Sequence, residues 1–240
     1  MKEVVLISSI AGVIGTGIGG LLGMFFGSKM ISNTLSYTGG LMIGIVFFDL
    51  FPLAVSIINL FTGIIWIIIG VLVISILDNL LDRKLQSKNK TNQKLINTGI
   101  IILIAMGFHN FLEGLAIGST QNINQRIGLL VAITIAIHDI PEGMAVAAPL
   151  AGGKIKKIKI IFLTIFSGLS TIFGAVFGLW VGNTSKVTAG ISICLAIGAM
   201  LYISFGELLP NAIANSPKQN NALVTIIGII SSLIILYFFK

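Results

Sequence analysis

Apolar residues run along this chain in blocks that lack a regular polar face. Eight such blocks cover residues 4–26, 35–57, 63–81, 97–119, 127–150, 158–181, 188–210 and 222–239. A helix that crosses the hydrocarbon core of a bilayer needs about 20 mainly apolar residues. Each block therefore predicts one membrane-spanning α-helix. Lys2 followed by Val4–Phe26 imitates a secretory signal, but the run is longer than such a core and no small-residue cleavage site follows it, so it reads as the first span. The connections are short, apart from the polar stretch Asp82–Lys94, which predicts a flexible linker. The pattern predicts an all-α, polytopic membrane protein with residues 1–240 as a single transmembrane domain and a cytoplasmic loop over 82–96.

Composition supports the pattern. Of 240 residues, 55% are hydrophobic and 10% charged, and the mean hydropathy is +1.05. A soluble domain carries about 25% charged residues, so a soluble enzyme and a disordered chain are both excluded. A single cysteine, Cys194, excludes an intrachain disulfide framework and a cysteine-based zinc site. The net charge of +7 reads as membrane topology and not as a nucleic-acid partner. Loops after odd-numbered spans hold Lys29, Arg83, Lys84, Lys88, Lys90, Lys94, Lys154, Lys156, Lys157, Lys159 and Lys218, whereas the other side holds only Lys2, Arg126, Lys186 and Lys240. The positive-inside rule then puts those loops in the cytoplasm and both termini outside.

Two internal repeats change the picture from architecture to function. GLMIGIVFFDLFP, starting at Gly40, and GAMLYISFGELLP, starting at Gly198, match without gaps at Gly40/Gly198, Met42/Met200, Ile45/Ile203, Phe47/Phe205, Leu50/Leu208 and Pro52/Pro210. Asp49 and Glu207 share a register in them. HNFLEGLA, starting at His109, pairs with HDIPEGMA, starting at His138. These repeats link span 2 with span 7 and span 4 with span 5, which run in opposite directions. Inverted repeats are a transporter signature and place the binding site at the repeat interface near the midplane.

The second repeat holds both histidines of the chain and three of its eight acids. Helix residues three and four apart share a face. His109 and Glu113, Asn110 and Glu113, His138 and Glu142, and Asp139 and Glu142 all have that spacing. Two facing helices would converge two imidazoles, three carboxylates and one amide. Ionisable groups at bilayer depth each cost at least a few kcal/mol, and no lysine or arginine lies in these spans to offset them. A divalent cation is the simplest counter-charge, and imidazole with carboxylate suits Zn²⁺ or Fe²⁺. Asp49 and Glu207, each near a span end, read either as acids at the two ends of a pathway or as interfacial acids that reach for water. Met42 reads as core filler or as a weak thioether at the edge of the site. Pro141 predicts a kink in span 5, and Gly114 and Gly143 allow close helix approach. An intramembrane metal-dependent hydrolase is the rival reading, although H-E-x-x-H is absent; a metal receptor that does not transport is another.

HNFLEGLAIG, HDIPEGMAVAAPL and GAMLYISFGELLP resemble the fourth-, fifth- and seventh-span signatures of the ZIP (Zrt-/Irt-like) metal transporters, most closely the bacterial zinc-uptake and GufA-like branch. The resemblance covers essentially the whole chain. It implies eight spans in a 3+2+3 arrangement, a cell-membrane importer of Zn²⁺, with Fe²⁺, Mn²⁺, Co²⁺ or Cd²⁺ as alternatives, and a homodimer. The metal is then a transported substrate and not a cofactor. Carried over by position, His109, Glu113, His138 and Glu142 form a first metal site with Met42 at its edge. Asn110, Asp139 and the bridging Glu113 and Glu142 form a second. Three departures stand out. Leu112 replaces a proline, the loop over 82–96 has no histidine, and Thr171 stands where relatives often carry glutamate.

Overall fold

Long apolar runs fold as helices in a membrane because only a helix or a closed barrel satisfies every backbone N–H and C=O internally. The structure, a computed structural model, describes residues 6–85, 91–123, 125–182, 186–216 and 220–239. Among them there is no strand. The helices are α1 Leu6–Phe25 and α2 Met30–Ile57, α3 Leu60–Leu85, α4 Thr91–Ile123, α5 Gln125–Gly152, α6 Lys157–Gly182, α7 Val187–Asn215 and α8 Asn221–Phe239. Among the described residues, seven of them are long and apolar enough to cross a membrane. The remaining helix, α5, has 28 residues and so a length of about 42 Å. It holds His138, Asp139 and Glu142 and two internal prolines, Pro141 and Pro149.

Two connections differ from expectation. Residues 27–34 were expected to form a loop, yet the helix runs on from α1 into α2 with one non-helical residue, Met30, at φ −127° and ψ 21°. No proline lies in that stretch to end the helix, and Ser32 Oγ anchors the turn, 2.8 Å from both the Ala212 carbonyl and Asn221 Oδ1. The expected flexible linker is shorter than Asp82–Lys94, because α3 continues to Leu85 and α4 starts at Thr91. Leucine, arginine and lysine are good helix formers. Residues 86–90 lie outside the described residues.

Glycine sets the spacing of the bundle. In α1, a Cβ on Gly19 would collide with the Ile140 carbonyl of α5. In α6, a Cβ on Gly174 would collide with the Phe111 carbonyl of α4 in the same way. Ile140 and Phe111 occupy the same register of the histidine repeat. Gly40 of α2 meets Thr225 of α8, and its repeat mate Gly198 of α7 meets Ile67 of α3. The α1/α5 contact is thus repeated by α6/α4, and the α2/α8 contact by α7/α3. α4 and α5 also pack against each other, and α4 contacts α7.

The repeats in α2 and α7 carry a shared irregularity. Val46–Leu50 and Ile203–Leu208 are π-helical. The Phe51 N–H donates to the Val46 carbonyl, and the Leu209 N–H donates to the Ser204 carbonyl, five residues back in both cases. Pro52 and Pro210 follow directly and cannot donate, so the ladder widens just before each. Asp49 and Glu207 lie inside these wide turns and are buried. That burial is at odds with an exposed interfacial role for either acid.

The close approaches give a paired prediction. Gly174→Ala drives a Cβ into backbone and should lower stability by about 1–3 kcal/mol or more. At Gly17 a Cβ would meet Ile165 Cγ1 at 3.5 Å, ordinary contact. Gly17→Ala should be neutral or stabilising by up to about 1 kcal/mol. Thermal unfolding of the purified variants checks both signs.

Candidate metal site

The candidate ligands come from two helices that share one sequence rule. The i, i+4 spacing puts His109 above Glu113 on α4 and His138 above Glu142 on α5. Gly114 and Gly143, each next to a glutamate, bring the outer helices close. A Cβ on Gly114 would overlap the Thr171 carbonyl of α6, and one on Gly143 the Thr16 carbonyl of α1. α4 and α5 are therefore clamped from both sides at the level of the site.

The four side chains converge. His138 Nε2 and Glu113 Oε1 are hydrogen-bonded at 2.6 Å. His109 Nε2 lies 3.0 Å from Glu113 Oε1 and 3.4 Å from Glu142 Oε1. His138 Nε2 lies 3.9 Å from Glu142 Oε1 and 3.8 Å from Asp139 Oδ1. One ligand atom from each of His109, Glu113, His138 and Glu142 lies within 4.8 Å of the others, and all four residues are buried. Zinc bonds imidazole and carboxylate at about 2.0–2.2 Å, so an ion at the centre of this group needs only small side-chain movements to meet all four.

Unpaired atoms show that protein partners do not complete the site. Glu113 Oε2, both oxygens of Glu142, both oxygens of Asp139, Asn110 Oδ1 and the Nδ1 atoms of both histidines make no hydrogen bond and are buried. Buried polar groups are satisfied in the great majority of cases, and a cluster of exceptions calls for a ligand. The carboxylates add further need, since no lysine or arginine lies between Lys94 and Arg126 or between Arg126 and Lys154. A cation held by oxygen and imidazole answers both.

The other expected residues divide. Asp139 adjoins the cluster through His138. Asn110 turns its amide nitrogen to the Ser167 carbonyl at 3.3 Å and to Ser167 Oγ at 3.4 Å. Thr171 is buried on α6 with an unpaired hydroxyl, against Gly12 of α1. Asp49 and Glu207 do not join the ligand group. Asn211 Nδ2 donates to the Glu207 carbonyl and to Glu207 Oε2, at 2.8 and 3.1 Å. Met42 is fully buried in the apolar core of α2. Pro141 does not break α5, which continues to Gly152. Its carbonyl accepts the Thr38 hydroxyl of α2 at 3.0 Å.

Three hydroxyl residues at the edge of the site, Thr16, Thr164 and Ser167, were not legible beforehand. Thr16 sits at the same place against Gly143 as Thr171 does against Gly114. The signal was present as a third repeat, in which Gly19 and Gly23 of α1 correspond to Gly174 and Gly178 of α6. Small residues alone carry too little identity to stand out in an apolar chain.

Comparison with known proteins agrees with this chemistry. Residues 81–236 match the family model described as ZIP Zinc transporter. A protein of Chlorobaculum parvum called zinc transporter ZupT is 34% identical over an alignment of 224 positions, gaps included, that covers 83% of this chain and 84% of the relative. The zinc transporter ZupT of Streptococcus mutans is 30% identical over 253 aligned positions, covering 96% and 94%. That of Akkermansia muciniphila is 33% identical over 261 aligned positions, covering 97% and 94%.

Glu113 approaches both imidazoles, so it is the most sensitive position. Glu113→Gln preserves shape and removes one negative charge. It should weaken Zn²⁺ binding by at least about tenfold to a hundredfold, the loss seen even for outer-shell changes. Titration against a competing chelator measures this, and an unchanged affinity would remove Glu113 from the ligand set.

Proposed function

The chain belongs to the ZIP zinc transporter family, and on that premise we propose that it carries Zn²⁺ into the cytoplasm through the cluster between α4 and α5. The observation that supports this most strongly is the buried convergence of His109, Glu113, His138 and Glu142. The protein is a transporter and not an enzyme, and zinc is its cargo and not a resident cofactor. The hydrolase reading has no support in the family. α5 completes a set of eight spans, in a 3+2+3 order. The lysine-rich loops face the cytoplasm and both termini face outward, and the chain sits in the cell membrane as a homodimer. Asp49 and Glu207, buried in the wide turns of α2 and α7, lie along the entry and exit routes, and Met42 lines the edge of the site.

The mechanism follows from the ligand chemistry. Zn²⁺ leaves water when imidazole and carboxylate replace its hydration shell. Glu113 and Glu142 supply the charge that offsets desolvation. Asn110 and Asp139 extend the cluster to a second position. Uptake of labelled Zn²⁺ into proteoliposomes tests the function. Saturable uptake is expected in wild type, and Glu142→Ala should abolish it in well-folded protein. Wild-type uptake by a Glu113→Ala/Glu142→Ala double variant would overturn the assignment.

Thr171 sets the occupancy. Glu113, Asp139 and Glu142 carry at most three negative charges, and two divalent ions would exceed them in a low-dielectric site. Wild type should bind one metal tightly and a second poorly. Thr171→Glu should raise the tight stoichiometry from about one to two per chain, as read by calorimetry. Two equal tight sites in wild type would show that Thr171 does not limit binding.

A further inference from the structure

Four lysines crowd the turn between α5 and α6, far along the chain from the histidine and carboxylate cluster. Lys154, Lys156, Lys157 and Lys159 are all exposed. No acid lies between Glu142 and Glu207, and the first turn of α6 holds none. A solvated surface normally intersperses both signs of charge. The positive-inside rule accounts for the sign of this patch, but not for its fixed backbone or for the apolar surface beside it.

The turn is tightly closed. The Gly153 N–H donates to the Pro149 carbonyl at 2.8 Å, the Lys154 N–H to the Ala151 carbonyl at 3.0 Å, and the Ile155 N–H to the Leu150 carbonyl at 3.1 Å. Lys154 has φ 64°, the one positive value at a non-glycine residue among the described residues. Glycine or asparagine usually fills such a helix end, and a lysine there raises the backbone energy. A Cβ on Gly153 would strike Ile96 of α4, and one on Gly152 would strike Ile31 of α2. The turn is therefore seated on two helices, and its lysines stand on a rigid base.

Apolar surface adjoins the charge directly. Lys157 Nζ lies 5.5 Å from the centre of the Phe25 ring of α1, and Phe25 is 75% exposed. Ile158 and Phe162 are 60% and 67% exposed; four residues apart, they share one face of α6. Lys159 stands three residues before Phe162 and so borders that face. An array of ammonium groups at the end of a span, above bare apolar side chains, matches a molecule that is anionic at one end and apolar at the other. We propose that the α5–α6 turn binds an anionic phospholipid, with its headgroup phosphate in the field of Lys154, Lys156, Lys157 and Lys159 and its acyl chains along Phe25, Ile158 and Phe162. Attraction of this kind sums over several charges and does not need the ammonium groups to meet at one atom. A free phosphate would satisfy the lysines and leave the apolar strip uncovered, so the combination selects a lipid.

The test titrates the full-length protein, in a neutral detergent, with palmitoyl-oleoyl phosphatidylglycerol and with the phosphatidylcholine of the same chains, and counts bound lipid by native mass spectrometry. Phosphatidylglycerol should bind saturably and at least about tenfold more tightly than phosphatidylcholine. Changing Lys154, Lys156, Lys157 and Lys159 together to Gln should weaken phosphatidylglycerol binding at least about tenfold, whereas changing all four to Arg should preserve it. A control with Arg83, Lys84, Lys88 and Lys90 changed to Gln removes as much charge elsewhere and should bind as wild type does. Equal binding of the two lipids, or equal loss in both glutamine variants, overturns the site. Displacement of phosphatidylglycerol by inorganic phosphate at equal concentration would mark a free-anion site and also overturns it. If the first glutamine variant does not fold, wild type decides alone: bound phosphatidylglycerol should fall as NaCl rises from about 0.05 to about 0.5 M, and binding that does not respond to salt overturns the proposal.

Discussion

Glu113, Asp139 and Glu142 are buried between α4 and α5 without a lysine or arginine nearby in sequence, and this concentration of charge governs the rest of the molecule. Unpaired charge in a low-dielectric interior costs several kcal/mol per group. The two imidazoles share the carboxylate oxygens but leave most acceptors open. The packing around the cluster therefore holds these groups together at an energetic cost. A divalent ion lowers that energy, so its binding energy is set largely by how well the helices resist spreading. A looser bundle would let the carboxylates separate or hydrate, and the drive to take up the ion would fall.

Resistance to spreading comes from the glycine contacts. Carboxylates repel one another across the α4/α5 interface, while α1 and α6 press on the outer faces through Gly19, Gly143, Gly174 and Gly114. Helices in lipid gain little from apolar burial against each other, since lipid tails are equally apolar. Close van der Waals contact is what holds them. The glycines next to Glu113 and Glu142 therefore act where the repulsion acts. The wide turns of α2 and α7 provide the opposite property, freeing the helix ladder beside Asp49 and Glu207.

Much of this was legible in the chain. Hydropathy alone delivers the helices, because the requirement for internal backbone hydrogen bonding leaves no other solution. The His109 and His138 repeats mark the four side chains that converge, since the i, i+4 rule is local. The missing features are those with no local signal. A single residue, Met30, turns the chain between α1 and α2, and nothing in its composition distinguishes it from its neighbours. The π-helical turns needed the combination of proline with a buried acid. Thr16 and Thr164 looked like ordinary helix hydroxyls. Their place beside the cluster depends on which glycine of the facing helix receives them, and that is a property of three-dimensional register.

The repeats are also unequal, and the inequality has a direction. Tyr202 of α7 corresponds to Gly44 of α2, and Gly206 corresponds to Phe48. Gly44 packs directly on Ser232 of α8, so that half is closed by helix contact. In the other half the Tyr202 ring lies over Gly206, and its hydroxyl donates to Asp78 of α3 at 2.7 Å. Asp78 keeps its other oxygen buried and unpaired, and Glu207 and Asn211 lie on the following turns of α7. Asp49 has a phenylalanine before it where Glu207 has a glycine. Two halves with identical chemistry would present a cation with equal wells at both ends. Placing the tyrosine, the amide and the extra acid on the α3/α7 side makes that end the more polar one, so the pseudo-symmetric frame carries a built-in polarity.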